Sequence, residues 1–205
     1  MDLLHLTVHN KGKLKGITSI NTSSLQNEFC NSIGCRDIKR KDRKYKSVCE
    51  LCYAEKNEKV RKSLEKCLIN NSDILSKELL NDRQVPILNQ KYIRFHSFGE
   101  LINDIHFQNF LKIAKLNPDT TFSLMTKRCD IVMKYPKLNN IIYIASSPLI
   151  NIPISDKKIL EYFDKIFTVY DKENIEITCG HNDCLHCLKC YNKSGDKKIN
   201  ELLRK

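Results

Sequence analysis

The chain has 205 residues, of which 41% are hydrophobic and 29% charged, and its formal net charge is +11. This length suits one α/β domain with a real core, and the composition excludes long disorder. The sequence also lacks the apolar core of a signal peptide and the roughly 18 apolar residues of a membrane span, so we expect a cytoplasmic protein without a membrane segment.

The first third of the chain predicts two strands followed by helices. Residues 4–8 alternate apolar and polar side chains, and "GITSINTSS" at 16–24 predicts a second strand. Apolar residues recur at helical spacing over 54–68, which predicts a helix. The segment "DILSKELL" predicts another helix over 73–81, with Asp73 as its N-cap.

The middle of the chain alternates strands and helices. A strand at 92–95 precedes a polar turn at 96–100, and Asn103 and Asn117-Pro118 bracket a predicted helix. Further strands are predicted at 121–125, 140–145 and 165–170, with helices near 129–134 and 156–163. This alternation predicts an α/β fold, either a partial (βα) barrel or an open parallel sheet, whose chemistry gathers at the carboxyl ends of the strands.

Eight of the ten cysteines form two groups, one near each end of the chain. The N-terminal group is spaced C-x4-C-x13-C-x2-C and the C-terminal group C-x4-C-x2-C-x2-C; their members are Cys30, Cys35, Cys49 and Cys52, and Cys179, Cys184, Cys187 and Cys190. In a reducing compartment such groups favour a metal over disulfides. We therefore expect cysteine-rich loops that bind metal at both ends of the chain.

The spacing of the C-terminal group favours an iron–sulfur cluster. An uninterrupted C-x2-C-x2-C is the spacing with which a bacterial ferredoxin loop wraps three corners of a [4Fe–4S] cubane, and Cys179 or a cysteine elsewhere would supply the fourth. Zinc is the alternative metal for both groups, because four thiolates also suit a tetrahedral site. His181 and His186 are further possible ligands or neighbours of the metal.

Four motifs together resemble the phage-encoded family named after gene product 88. They are "CELCYAEKN", "YIRFHSFGEL", "NPDTTFSLMTKR" and "CLHCLKCY", and the resemblance covers residues 13–192. The turn of that family reads Ser-Gly-Asp, whereas this chain has Ser97-Phe98-Gly99-Glu100, with one residue inserted and Glu for Asp. The resemblance implies a fold and an iron–sulfur centre more than an activity.

The order of parts also resembles a shortened radical S-adenosylmethionine barrel. In that superfamily three cysteines hold a [4Fe–4S] cluster with one open iron, and the turn after the second strand receives the amino group of S-adenosylmethionine. The resemblance implies that Ser97, Phe98, Gly99 and Glu100 contact this cofactor. The compact C-x3-C-x2-C of that superfamily is absent here, and the N-terminal group offers four thiols instead of three.

Four residues at or just after predicted strand ends complete the candidate site. His96 is the candidate acid/base or substrate contact, Glu100 a candidate catalytic acid, and Lys127 a candidate catalytic group; Ser146 is a candidate cofactor contact at the end of a later strand. If the sheet is parallel, these side chains face one mouth.

Two units and two functions are expected from these observations. Residues 1–175 would form the barrel-like unit, with the cysteine loop at 30–52, and residues 176–205 a metal-binding segment. One hypothesis is an enzyme with one or two clusters that cleaves S-adenosylmethionine. The other is a non-catalytic module, stabilised by zinc or iron–sulfur, that binds nucleic acid or a host protein. Seven basic residues within 36–46 are the candidate nucleic-acid contact.

Overall fold

A computed structural model describes residues 3–31, 46–172, 175–180 and 183–203. Seven strands form one sheet in which the order across the sheet is the order along the chain. The strands are β1 (Leu6–Val8), β2 (Thr18–Ile20), β3 (Tyr92–Phe95), β4 (Thr121–Thr126), β5 (Ile141–Ser146), β6 (Lys165–Tyr170) and β7 (Lys198–Leu202). The basic stretch at 36–46 and Cys35 fall outside the described residues, apart from Lys46.

The sheet is parallel except at its first edge. β1 and β2 form an antiparallel hairpin, and every later neighbour pair from β2 to β7 is parallel. The carboxyl ends of β2 to β7 therefore lie along the same edge. This confirms the predicted α/β class with an open, mostly parallel sheet.

Seven helices connect the strands in the described parts of the chain. They are α1 (Glu28–Asn31), α2 (Tyr53–Val60), α3 (Lys62–Lys77), α4 (Asp104–Leu116), α5 (Cys129–Val132), α6 (Lys157–Tyr162) and α7 (Cys184–Cys187). The predicted cap of α4 is confirmed, because the Asn103 side chain accepts a hydrogen bond from the backbone N–H of His106 at 2.9 Å. None of these helices is long and apolar enough to cross a membrane.

Two helix boundaries predicted from the sequence are wrong. The predicted helix over 54–68 is broken at Arg61, which has extended φ and ψ values, and the helix predicted over 73–81 has no separate start, because residues 73–77 are the last part of α3. The helix continues through this region because Asn71 is buried and its amide donates to the carbonyls of His5 and Asn21. These tertiary hydrogen bonds stabilise a continuous helix at a position where the polar sequence predicts a break.

Different segments of the chain pack against the two faces of the sheet. On one face the aromatic rings of Phe95, Phe110 and Phe122 stack, with centroids 4.0 and 4.6 Å apart, and α4 covers them. On the other face a smaller apolar cluster of β5, β6 and β7 packs against Cys179 and Cys190. The C-terminal cysteine segment thus covers the face that the long helices leave open.

The first hairpin and the last strand meet although they lie at opposite ends of the strand order. Lys13, in the β1–β2 hairpin, forms an ion pair with Glu201 of β7 at 2.6 Å. The seven-stranded sheet is therefore curved, because the hairpin at its first edge contacts the strand at its last edge. Residues 198–202 extend the same sheet, so the segment that begins at residue 176 contributes its last strand.

Candidate metal centres

The C-terminal cysteine segment is shaped by one helical turn and one left-handed residue. Asp183 caps α7 by accepting the backbone N–H of Leu185 at 2.8 Å. Cys184 and Cys187 are three residues apart and so lie on the same side of this turn. Leu188 has φ 49°, which reverses the chain and brings Cys190 back towards them.

All four cysteines of this group line one small cavity. Cys179, Cys184, Cys187 and Cys190 surround it together with Lys13, Arg94 and Tyr191. The position of Cys179 is fixed by its backbone N–H, which donates to the carbonyl of Asn200 in β7 at 2.8 Å. The structure thus brings together the four C-terminal thiols that the sequence groups.

Two basic side chains face these thiols. The Arg94 guanidinium donates to the carbonyl of His96 at 3.0 Å and to the Met125 sulfur at 3.4 Å. Among the described residues no carboxylate lies within ion-pair distance of Arg94. Lys13 lies opposite, with its ammonium 2.9 Å from the sulfur of Cys179. The cavity therefore combines thiols with positive charge.

Burial and charge act in opposite directions on these groups. Burial raises the pKa of Cys190 to about 11 and also raises the pKa of Cys184, while Arg94 opposes both shifts. Burial alone would lower the pKa of Lys13, but its hydrogen bonds to Cys179 and Glu201 outweigh burial and raise it. Binding of a metal cation would favour the thiolate form of these cysteines, because only the thiolate acts as a metal ligand.

The four thiols are donors of the type that a thiolate-ligated metal or cluster takes. Four thiols face one cavity, and Arg94 and Lys13 supply charge that would offset four thiolates. In the residues for which the structure gives positions, no group of three or more His, Cys, Asp or Glu side chains is already arranged to hold a metal ion.

The N-terminal cysteines lie near the carboxyl ends of the central strands. Cys49 belongs to a 3-10 turn at Val48–Leu51, and Cys52 caps α2 with its sulfur 3.5 Å from the N–H of Glu55. Ser47 anchors this turn by donating its hydroxyl to the carbonyl of Pro148, just beyond β5, at 3.1 Å. The turn is thereby fixed to the edge where the parallel strands end.

Cys30 shares its surroundings with Cys49, Cys52, Glu100 and Lys127. Burial raises the pKa of the Cys30 thiol, the negative charges of Glu100 and the two cysteines act in the same direction, and Lys127 opposes them. Glu100, Lys127, Cys49 and Cys52 are thus near enough to Cys30 to act on its charge, but no three such donors among the described residues are arranged to hold a metal ion. Cys35, the fourth N-terminal cysteine, lies outside the described residues.

The turn from His96 to Glu100 packs tightly on the segment that follows β2. Asn21 binds it through its side-chain oxygen, which accepts the backbone N–H groups of Ser97 at 2.8 Å and Phe98 at 3.1 Å. Gly99 has φ 83°, and a Cβ at this position would lie 2.4 Å from the backbone oxygen of Thr22. Only glycine fits here without a shift of the chain.

Glu100 is buried and its carboxylate is fully engaged. One oxygen accepts the hydroxyl of Thr126 at 2.5 Å and the N–H of Leu101 at 2.9 Å, and the other accepts the N–H of Lys127 at 2.9 Å. These bonds join the end of β3 to the end of β4. In this structure Glu100 positions the strand ends on which the predicted site is built.

His96 lies beneath the strand ends. Its ring is 4% exposed, packs edge-on against His106 at 5.1 Å and touches Phe110. Burial is the main reason that the pKa of His96 is well below its ordinary value, and burial lowers the pKa of His106 to about 3. Both rings are therefore neutral near pH 7. Nδ1 of His96 and Nε2 of His106 have no hydrogen-bond partner among the described residues.

Ser146 is the last residue of β5 and Ser147 follows it, at the same edge at which Lys127 follows β4. Ser146 is 6% exposed, and the hydroxyl of Ser147 donates to the carbonyl of Ile152 at 2.6 Å. The parallel register therefore brings the candidate residues of β3, β4 and β5 to one edge. It places the His96 ring deeper than Lys127, which is half-buried.

Sequence reasoning missed two residues that shape these sites. Lys13 gives no local signal, because its partner Cys179 is 166 residues away. Glu58 gives a weak local signal, because it lies four residues after Ala54 on the buried side of α2, where an acidic residue is unexpected. Its carboxylate accepts bonds from the Ser23 hydroxyl and from the N–H and hydroxyl of Ser24, which fixes α2 to the segment before Cys30.

Comparison with known proteins gives one match. No curated protein and no solved structure matches the chain. The model of the family described as Gene product 88 matches residues 5–205, which is nearly the whole chain. The match agrees with the motifs at 49–57, 92–101, 117–128 and 184–191. The chain therefore belongs to the Gene product 88 family.

Proposed function

We propose that this chain is an iron–sulfur protein whose C-terminal centre is a cluster held by four thiolates. One observation carries the proposal: Cys179, Cys184, Cys187 and Cys190 line a single cavity that Arg94 also lines. Four thiolates would bring negative charge into a partly buried site, and the guanidinium, which has no carboxylate partner among the described residues, would offset part of it.

The spacing supports a cluster over a zinc ion. Structural zinc sites take two short cysteine pairs separated by a longer spacer, whereas Cys184, Cys187 and Cys190 follow one another at intervals of three residues. The single turn of α7 and the left-handed Leu188 present these three sulfurs from one continuous loop. Cys179 approaches from beside β7 and would supply the fourth ligand.

A second, catalytic centre is proposed at the N-terminal cysteines. The supporting observation is that the turn that carries Cys49 and the backbone of Lys127 are both fixed at the carboxyl edge of the sheet, within electrostatic range of Cys30. A reduced cluster with an open iron would supply one electron, taken from an external reductant, for cleavage of S-adenosylmethionine. Ser146 is a proposed cofactor contact, Lys127 is a proposed catalytic group, and Glu100 holds the strand ends in place.

Metal analysis tests both centres at once. The protein is purified without oxygen, its iron, sulfide and zinc are measured, and its visible and paramagnetic spectra are recorded with and without S-adenosylmethionine. Two [4Fe–4S] clusters and a spectral change on adding S-adenosylmethionine are expected. A colourless protein that carries zinc would refute the cluster proposal. Clusters whose paramagnetic signal does not change on adding S-adenosylmethionine would refute the proposed enzymatic activity.

Single substitutions assign the clusters to their cysteines. Cys184→Ser and Cys190→Ser should each lose the C-terminal cluster, about four irons per chain for a cubane, and Cys52→Ser should affect only the other cluster. Cys67→Ser is the control, because Cys67 is a half-buried thiol of α3 outside both groups. Iron content that stays unchanged in both C-terminal variants would refute the assignment.

A further inference from the structure

Lys13 contacts two of the four C-terminal cysteines. Its ammonium donates to the Cys179 sulfur at 2.9 Å and to the Cys179 carbonyl at 3.2 Å. Its own backbone carbonyl accepts the N–H of Cys184 at 2.8 Å. One residue of the first hairpin therefore joins the loop that carries Cys179 to the helical turn that begins at Cys184.

The hairpin around Lys13 is seated on the cysteine segment by two further contacts. Glu201 of β7 accepts the Lys13 ammonium at 2.6 Å and so holds it in place beside the sulfur. Gly16, with φ 81°, leaves room for the Leu185 side chain, which would lie 3.2 Å from a Cβ at that position. Lys13 and Glu201 are both partly buried, with side-chain exposures of 17% and 26%, so solvent screens this pair less than a surface pair.

We propose that Lys13 is a positioning residue of the C-terminal centre, which holds the Cys179 thiolate as the fourth ligand and donates a hydrogen bond to its sulfur. The proposal rests on the proposed cluster and adds to it the means by which the fourth ligand is held. This does not follow from the spacing, since Cys179 is five residues from the next cysteine and could point elsewhere.

Two properties of the cluster follow from this contact. A partner outside the coordination sphere that orients a ligand slows the loss of the metal, and removing such a partner typically costs 10- to 100-fold in affinity. An N–H donor to a ligand sulfur also stabilises the reduced, more negative cluster, so it raises the reduction potential. Lys13 should act on both properties, while lysines that do not touch sulfur should act on neither.

The test compares three substitutions in the hairpin of the full chain. Lys13→Met removes the ammonium and keeps most of the stem, Lys13→Arg keeps a positive donor, and Lys15→Met is the control, because Lys15 is an exposed lysine of the same hairpin. Each protein is loaded with iron and sulfide. The rate at which a chelator removes iron and the midpoint potential are then measured for the cluster that Cys184→Ser eliminates.

Lys13→Met should lose this cluster about 10-fold faster or more and shift its potential to more negative values. Lys13→Arg should recover most of both properties, and Lys15→Met should match the wild type. Equal release rates and potentials in wild type and Lys13→Met would overturn the inference and leave the cluster standing. A wild-type chain that takes up no cluster at Cys184 would overturn the proposed function itself.

Discussion

At the scale of single residues, the turn from His96 to Glu100 is determined by close packing as much as by chemistry. The side-chain oxygen of Asn21 binds two of its backbone N–H groups, and Gly99 lies against the backbone of Thr22. A predicted cofactor turn is thus also a structural joint between the segment after β2 and the end of β3. This explains why a glycine stands in the turn whether or not a ligand binds there.

Gly99→Ala is therefore expected to destabilise the fold. The positive φ costs a residue with a side chain about 1 kcal/mol, and a Cβ 2.4 Å from the Thr22 oxygen would force a shift that costs a further 1–3 kcal/mol or so. Urea-induced unfolding measures the loss. Gly12→Ala is the control, since Gly12 has φ 72° with nothing within 4 Å of an added Cβ. Equal losses in the two variants would contradict the close-packing argument.

At the scale of elements, the sequence predicts the bounds of a strand best where one face or both faces of the strand are buried. β3 and β6 were predicted with their observed bounds, because their runs of apolar and β-branched residues are bordered by clear turn residues. β7 was not predicted: in "KINEL" only Ile199 is fully buried, and the strand forms because β6 offers it a free edge. A strand specified by its partner leaves little trace in its own sequence.

The same limit applies to the helices and to the candidate site. Helical spacing located α2, α3 and α4, but the break at Arg61 and the continuity through Asn71 depend on contacts with distant segments. Cysteine spacing likewise located both groups, whereas the positive charge that faces the C-terminal group comes from Lys13 and Arg94 in other elements. Local patterns reveal candidate ligands more readily than the residues that contact them.

The element α2 provides a test of how the N-terminal cysteines are held. Glu58→Gln should lower the free energy of unfolding by about 2–3 kcal/mol, because a buried carboxylate that accepts bonds from Ser23 and Ser24 is replaced by an amide that repels part of these donors. Glu65→Gln is the matched control; Glu65 pairs with the exposed Lys62, and its loss should cost less than about 1 kcal/mol.

The two variants should also differ in metal uptake. α2 begins directly after Cys52, so a loosened helix should reduce the iron held by the N-terminal group and leave the C-terminal cluster loaded. Iron analysis of Glu58→Gln beside Cys184→Ser checks this. If Glu58→Gln unfolds at the same urea concentration as Glu65→Gln, the carboxylate does not fix α2 in the way that its contacts indicate.

At the scale of the whole molecule, the curved sheet brings the two ends of the chain together. The contact of Lys13 with Cys179 and Glu201 connects the first hairpin with the last strand, and the cysteine segment between β6 and β7 covers the face that α4 does not. The C-terminal cysteine segment is therefore part of the sheet's packing. If the proposed cluster is bound there, its loss should lower the free energy of unfolding as well as remove any redox chemistry.

Net charge is the other property of the whole molecule, and it supports a prediction about nucleic acid. The chain carries +11, and seven of the eleven residues at 36–46 are basic. If this stretch contacts nucleic acid and is not merely a solvated loop, binding should depend mainly on phosphate contacts, with an affinity that falls steeply as salt rises. Fluorescence anisotropy of a labelled oligonucleotide between 50 and 200 mM salt, roughly the range over which this effect is large, measures the dependence.

A charge-matched pair of variants locates the contact. The first replaces five basic residues of the stretch with Gln, namely Lys39, Arg40, Lys41, Arg43 and Lys44, and the second replaces five exposed lysines on the helices, namely Lys56, Lys62, Lys66, Lys115 and Lys158. Because each lost phosphate contact reduces the salt slope by about 0.7 for single strands, the first variant should lower it by roughly three to four. The second should change it far less. Equal slopes in the two variants would mean that net charge alone attracts the nucleic acid, and that residues 36–46 form no specific contact.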